Sequence, residues 1–185
     1  MKNLVSMIGF LVLLLAFFSV DVRAKDLTSN KKETLRDIKS MTIVIEDMKL
    51  PDATALQITK ELIENDVTQK LQKAGIKVEP FTDLTSDLPW IYVNIHLMEH
   101  KELPGFYTFN LGLEVRQFVV LKRVRRLSFN ASTWDHRLFG MISSSEAVST
   151  VRESLNKAMD SFVDDCQTVN PVKKNKQLEK TKPKK

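Results

Sequence analysis

The sequence predicts an α+β domain: a single, mostly antiparallel sheet with β-α-β-β-β-β-α order and two helices packed on one face. Three observations predict it. Apolar and polar residues alternate with period two through 90–98 and again through 106–116. Side chains on a strand point to opposite faces in turn, so such alternation marks strands buried on one side. A different spacing runs from 148 to 166, where Val148, Val151, Leu155, Ala158, Met159, Phe162 and Cys166 form the stripe of a one-sided helix. Finally, 41–78 reads as strand, helix, strand, a crossover that favours parallel pairing. Two helices that are apolar on one side only are both satisfied if they cover the same sheet face. The other face is then left partly open.

The chain divides into four parts. Residues 1–24 read as a secretory signal peptide: Lys2, an apolar run from Leu4 to Val20, and a small-residue exit at Val22 and Ala24. Signal peptidase requires small side chains one and three residues before the cut, so cleavage is expected after Ala24. The alternative is an uncleaved anchor, although a run of 17 residues falls short of the roughly 20 that a spanning helix needs. After cleavage no transmembrane segment remains. Residues 25–34 are polar and expected to be a flexible lead-in; residues 35–171 form the α/β domain. From 172 to 185 the chain carries seven lysines and one glutamate. Such a tract buries too little apolar surface to offset its chain entropy and is expected to be disordered.

Within the domain, Met41 to Asp47 is β-branched and apolar, and reads as a buried strand. Leu50-Pro51-Asp52 interrupts it, and Asp52 is a plausible N-cap for a helix reaching Ala74, with Ile58, Leu62, Val67 and Leu71 inward. Gly75 suits the left-handed position past the helix end, and Ile76-Lys77-Val78 follows as a strand. On the next strand Ile91, Val93, Ile95 and Leu97 take one face, while Trp90, Tyr92, Asn94, His96 and Met98 take the other. Leu103-Pro104-Gly105 turns the chain into Phe106–Leu121, where Tyr107 to Val115 alternate with Thr108, Asn110, Gly112, Glu114 and Arg116. A basic bend, 122–126, leads to a last strand carrying Leu127, Phe129, Ala131 and Thr133 on one face. Ser143 and Glu146 have capping-box spacing before the final helix, which Asn170-Pro171 ends.

Charge narrows the functional classes. The whole chain is +5, but the tail contributes +6 and the leader +1, which leaves −2 for residues 25–171. The basic character belongs to the tail and not to a folded face, so no nucleic-acid partner is expected. The lysine tail is expected to be solvated, with peripheral contact to anionic lipid as the alternative. The single cysteine, Cys166, permits no disulfide within the chain, and its place on the apolar stripe marks it as a small core residue.

Chemistry-bearing motifs are few. His96, Met98 and His100 would share one side of an extended strand, and imidazole with thioether suits copper, which makes them the candidate metal ligands. Asp135-His136 invites a hydrolase reading, but neighbours on a strand face opposite ways. There is no nucleophile elbow, paired-carboxylate site or glycine-rich phosphate loop, so no cofactor and no enzymatic activity are expected.

The stretches 89–95, 106–111, 113–117 and 131–134 resemble a group of small exported bacterial α/β proteins of uncharacterised function. The resemblance spans about residues 35–171 at the level of pattern. It implies the α/β layout and an envelope location, and brings no activity, cofactor or site residue with it. The expectation is therefore a non-enzymatic periplasmic binding or assembly module whose partner is an envelope protein or ligand. Its binding surface would be the open sheet face, with Trp90, Tyr92, Asn94, Asn110, Glu114 and Arg116, or an edge strand that accepts a partner strand.

Overall fold

In the computed structural model, which describes residues 30–48, 57–82 and 87–171, the elements follow the expected order. They are β1 (Ser40–Ile45), α1 (Lys60–Lys73), β2 (Lys77–Glu79), β3 (Trp90–Glu99), β4 (Phe106–Leu121), β5 (Val124–Ser143) and α2 (Ala147–Val169). The leader 1–24, the tail 172–185 and the expected cap Asp52 lie outside the described residues. The five strands form one sheet in the order β2-β1-β3-β4-β5. β1 runs parallel to β2, as the crossover through α1 favours, and also to β3, while β3, β4 and β5 form the antiparallel meander.

Both helices cover one face. α1 packs on β1 and β2, and α2 on β4 and β5. α2 buries Val151, Leu155, Ala158, Met159, Phe162 and Cys166, each large apolar side chain contributing about 1.5–3 kcal/mol when fully buried. The facing sheet residues are Ile91, Val93, Ile95 and Leu97 on β3, and Tyr107, Phe109, Leu111, Leu113 and Val115 on β4, all buried. Arg152 ties the two helices together by donating to both carboxylate oxygens of Asp66, at 2.7 and 2.8 Å.

Helix ends follow local chemistry, with two corrections. Thr59 caps α1, its Oγ1 accepting from the Leu62 backbone. Ile63, Val67 and Leu71 are the inward residues there, and Leu62 is only half-buried, because a start at Lys60 fixes which face meets the sheet. Gly75 has φ +78° as expected. Its N–H donates to the Gln72 carbonyl and that of Ile76 to Leu71, the double bond pattern that closes a helix on a left-handed residue. At α2 the capping box does not form. A 3-10 turn, Ser144–Glu146, intervenes, and the Ser143 hydroxyl donates to the Glu146 carboxylate at 3.0 Å instead of serving the backbone.

Two other expectations change. The lead-in is docked from residue 30 onward: 30–33 form a helical turn and Leu35 is fully buried. Arg36 donates to the Val169 carbonyl at the end of α2, and Asn170 bonds both the Asp37 N–H and the Leu35 carbonyl. The last strand, whose face the sequence assigns only from Leu127 to Thr133, runs to Ser143, and that face is not kept beyond Thr133. A bulge makes this continuation work: Arg116 pairs with Ser132 and Val115 with Trp134, so Thr133 is the extra residue. One added residue exchanges the two faces of everything that follows. Trp134 and Ile142 thereby enter the core, while Asp135, Arg137, Phe139 and Met141 turn to the open face.

Candidate functional site

The open face is built from rows of residues across β3, β4 and β5. The register stacks Tyr92, Glu114 and Asp135; then Asn94, Gly112 and Arg137; then His96, Asn110 and Phe139; then Met98, Thr108 and Met141. β1 adds Thr42 and Val44 on the same side of Trp90 and Tyr92.

One half of this face is a polar network. Glu114 is the hub, only 8% exposed. It accepts from Arg116 Nε at 3.0 Å and from Arg137 at 2.7 Å. The Arg116 guanidinium lies 4.1 Å from the centre of the Tyr92 ring, within the range of cation–π attraction. Burial raises the Tyr92 phenol above its ordinary value, and its hydrogen bond to Glu46 adds to the rise. Asn94 donates to the Glu46 carboxylate as well. These residues hold one another in place.

The other half carries the exposed apolar side chains, set among His96, Asn110 and Thr108. Phe139 is 87% exposed, Met98 70% and Met141 55%, and Phe106 on β4 is exposed beside them. A shallow depression lined by His96, Met98, Thr108 and Asn110 lies at this end. Thr108 and Asn110 lie between Met98 and the β5 pair Phe139 and Met141, and exposed apolar patches rimmed by polar residues mark interaction surfaces. This half of the face includes part of β5, which is the longer of the sheet's two edge strands at 20 residues.

The expected site residues are brought together in part. Tyr92, Asn94, Asn110, Glu114 and Arg116 share the open face. Trp90 belongs to that face by register, but it is buried beneath Phe81, whose ring meets it edge-on at 5.9 Å. His96 and Met98 also face outward, with His96 Nε2 3.4 Å from the Asn94 side-chain nitrogen. His100 falls one residue beyond β3, its backbone N–H bonded to the Phe106 carbonyl and its Nδ1 buried without a partner. Among the described residues no group of three His, Cys, Asp or Glu side chains gathers as a metal cluster.

Asp135 and His136 do not meet as a pair. Asp135 lies across from Glu114 and binds Lys31 at 2.8 Å, whereas His136 lies across from Leu113 and stacks on Trp134. Burial lifts the Cys166 thiol to about 12, with Asp165 adding to the rise, so it stays protonated and unreactive. Arg137, Phe139 and Met141 are not among the sequence candidates, because the reading of the last strand places no residue beyond Thr133 on a face and parity changes at the bulge. Residues 134–142 give little local signal, since three polar residues run together at 135–137 and apolar neighbours adjoin at 138–139 and 141–142.

No family model matches the chain, and no curated protein matches it. Among solved structures, rare lipoprotein B from Shewanella oneidensis is similar at 10% identity and TM-score 0.36, covering 71% of this chain and 96% of its own. A protein from Caulobacter crescentus, provisionally assigned as a lipoprotein, is similar at 9% identity and TM-score 0.30, covering 78% and 98%. Neither likeness bears on what this chain does. No helix among the described residues is long and apolar enough to cross a membrane.

Proposed function

We propose that the protein is a non-enzymatic module of the bacterial envelope that binds an extended segment of a partner protein along β5. Export is supported by the apolar leader and its small-residue exit. The observation that carries the binding reading is the coincidence of a long edge strand with the exposed side chains of Phe139 and Met141 on it, in the same cross-strand rows as His96 and Met98 of β3. An edge strand offers a row of main-chain donors and acceptors, and natural proteins usually shorten, charge or cover such an edge. Here one stretch is covered, since Lys31 and Thr34 donate to the carbonyls of Asp135 and Thr133. Past Asp135 the strand runs on with apolar residues outward. An added strand would pair with that main chain, and its alternate side chains would rest on Phe139 and Met141.

The test combines crosslinking with hydrogen exchange. A photoreactive residue in place of Phe139 should give a discrete adduct in intact cells. Adding Met141→Lys and Met98→Lys should abolish that adduct, and the purified partner should slow amide exchange along 136–142. Adducts unchanged by the lysine substitutions, or exchange along β5 unaltered by the crosslinked partner, would refute the reading.

A further inference from the structure

Beyond Arg116, β4 leaves β3 and pairs with β5 alone, so 117–121 and 124–131 form a two-stranded ribbon projecting from the sheet. We infer that this ribbon is a lipid-binding element that seats in the headgroup layer of an anionic membrane. This surface is separate from the partner-binding edge at 136–142.

Three features converge. First, residues 122–129 are exposed without interruption, and Phe118 and Val120 are exposed on the opposing strand. Second, the apolar side chains project from both faces: Phe118 and Val120 share the face of Glu114 and Arg116, whereas Phe129, across from Val119, takes the other. A flat protein partner would cover one face and leave the second in water. A fluid acyl boundary surrounds both. Third, residues 117–131 contain Lys122, Arg123, Arg125 and Arg126 and no acidic residue, in a domain whose net charge is otherwise negative. Basic groups interleaved with Val124, Leu127 and Phe129 allow guanidinium groups to stay on lipid phosphates while apolar side chains sink below them. An isolated two-stranded ribbon is marginal in water, so such a surface gains order from the medium it enters. A nucleic acid would use the charges but would leave Val120, Val124 and Leu127 in water.

The native tryptophans interfere little with the test, because Trp90 and Trp134 are buried at 5% and 2% exposure and pair with Arg116 and Val115 at the base of the ribbon, not on its exposed part. In the full chain, Phe129→Trp places an indole on it. The expected result is quenching of that indole by brominated phosphatidylglycerol vesicles, several-fold greater than by brominated phosphatidylcholine, and falling as salt is raised. Arg123→Glu with Arg126→Glu should remove the quenching, and Phe118→Ser with Leu127→Ser should weaken it. All four residues are exposed, so the fold is retained, which circular dichroism checks. An indole left unquenched while the protein sediments with the vesicles would assign lipid contact to another part of the chain, such as the lysine tail, and overturn the inference. Equal quenching in both lipids would do the same.

Discussion

The ring of Phe109 lies across Gly140, its cross-strand neighbour, so closely that a Cβ at 140 would stand 2.9 Å from Cε1. Phe109 is 6% exposed, so its ring has little room to withdraw. The glycine lets β5 pass beneath a core aromatic and lets the sheet face stay packed. Gly140→Ala should therefore destabilise the fold by about 1–3 kcal/mol, the usual cost of forcing extra volume into a filled site. Phe109→Leu in the same chain should recover part of that loss. Urea midpoints of the two single variants and the double variant measure the coupling.

Glu114 joins Arg116 and Arg137 on the open face. Removing the hub leaves two cations side by side, whereas removing Arg137, whose side chain is 63% exposed, returns one solvated group to water. Glu114→Ala should cost roughly 1–3 kcal/mol, and Arg137→Ala less than about 1 kcal/mol. Equal losses would show that the two pairs do not share a hub.

Phe139 makes the opposite prediction. At 87% exposure it contributes little to the core, and Phe139→Glu should leave stability within about 0.5 kcal/mol of the parent. The same substitution should reduce self-association of the purified domain at high concentration, as judged by light scattering, because it places a charge on the edge strand.

Cys166 sets an alkaline limit. Its folded value of about 12 lies above the ordinary 9.0, so the native state keeps a proton that the unfolded chain releases. Between these values the unfolded state binds fewer protons, and stability falls as pH rises; below pH 9 the contribution is complete. The fall amounts to about 1.4 kcal/mol per pH unit within the window. Cys166→Ala should have a flatter stability profile from pH 9 to 10.5 than the parent, even though its stability at pH 7 is lower. Parallel profiles would refute the assignment.

Much of the fold was legible in the sequence because it rests on short-range periodicity. The alternation at 106–116 fixed which β4 side chains face the helices, and the stripe from Val151 to Cys166 fixed the buried side of α2. The candidate site was legible only in part. Tyr92, Asn94, Glu114 and Arg116 followed from parity alone, but Trp90 did not, since nothing local says that Phe81 will cover it. Thr59 was passed over as a cap because Asp52, seven residues earlier, offers the same chemistry. The docked turn at 30–33 is polar and carries no stripe; it is held by long-range bonds to Asp135 and Asp165.

Alone, the sequence determined the element types, the one-sided helices and the open sheet face, because each is written in the spacing of neighbouring residues. Tertiary structure decided where β5 changes face, what lies over Trp90 and how far the ribbon extends past β3. These depend on pairing between residues distant in the chain. The bulge at Thr133 shows why: one unpaired residue, set by register against Val115 and Arg116, sends Trp134 inward and Phe139 outward.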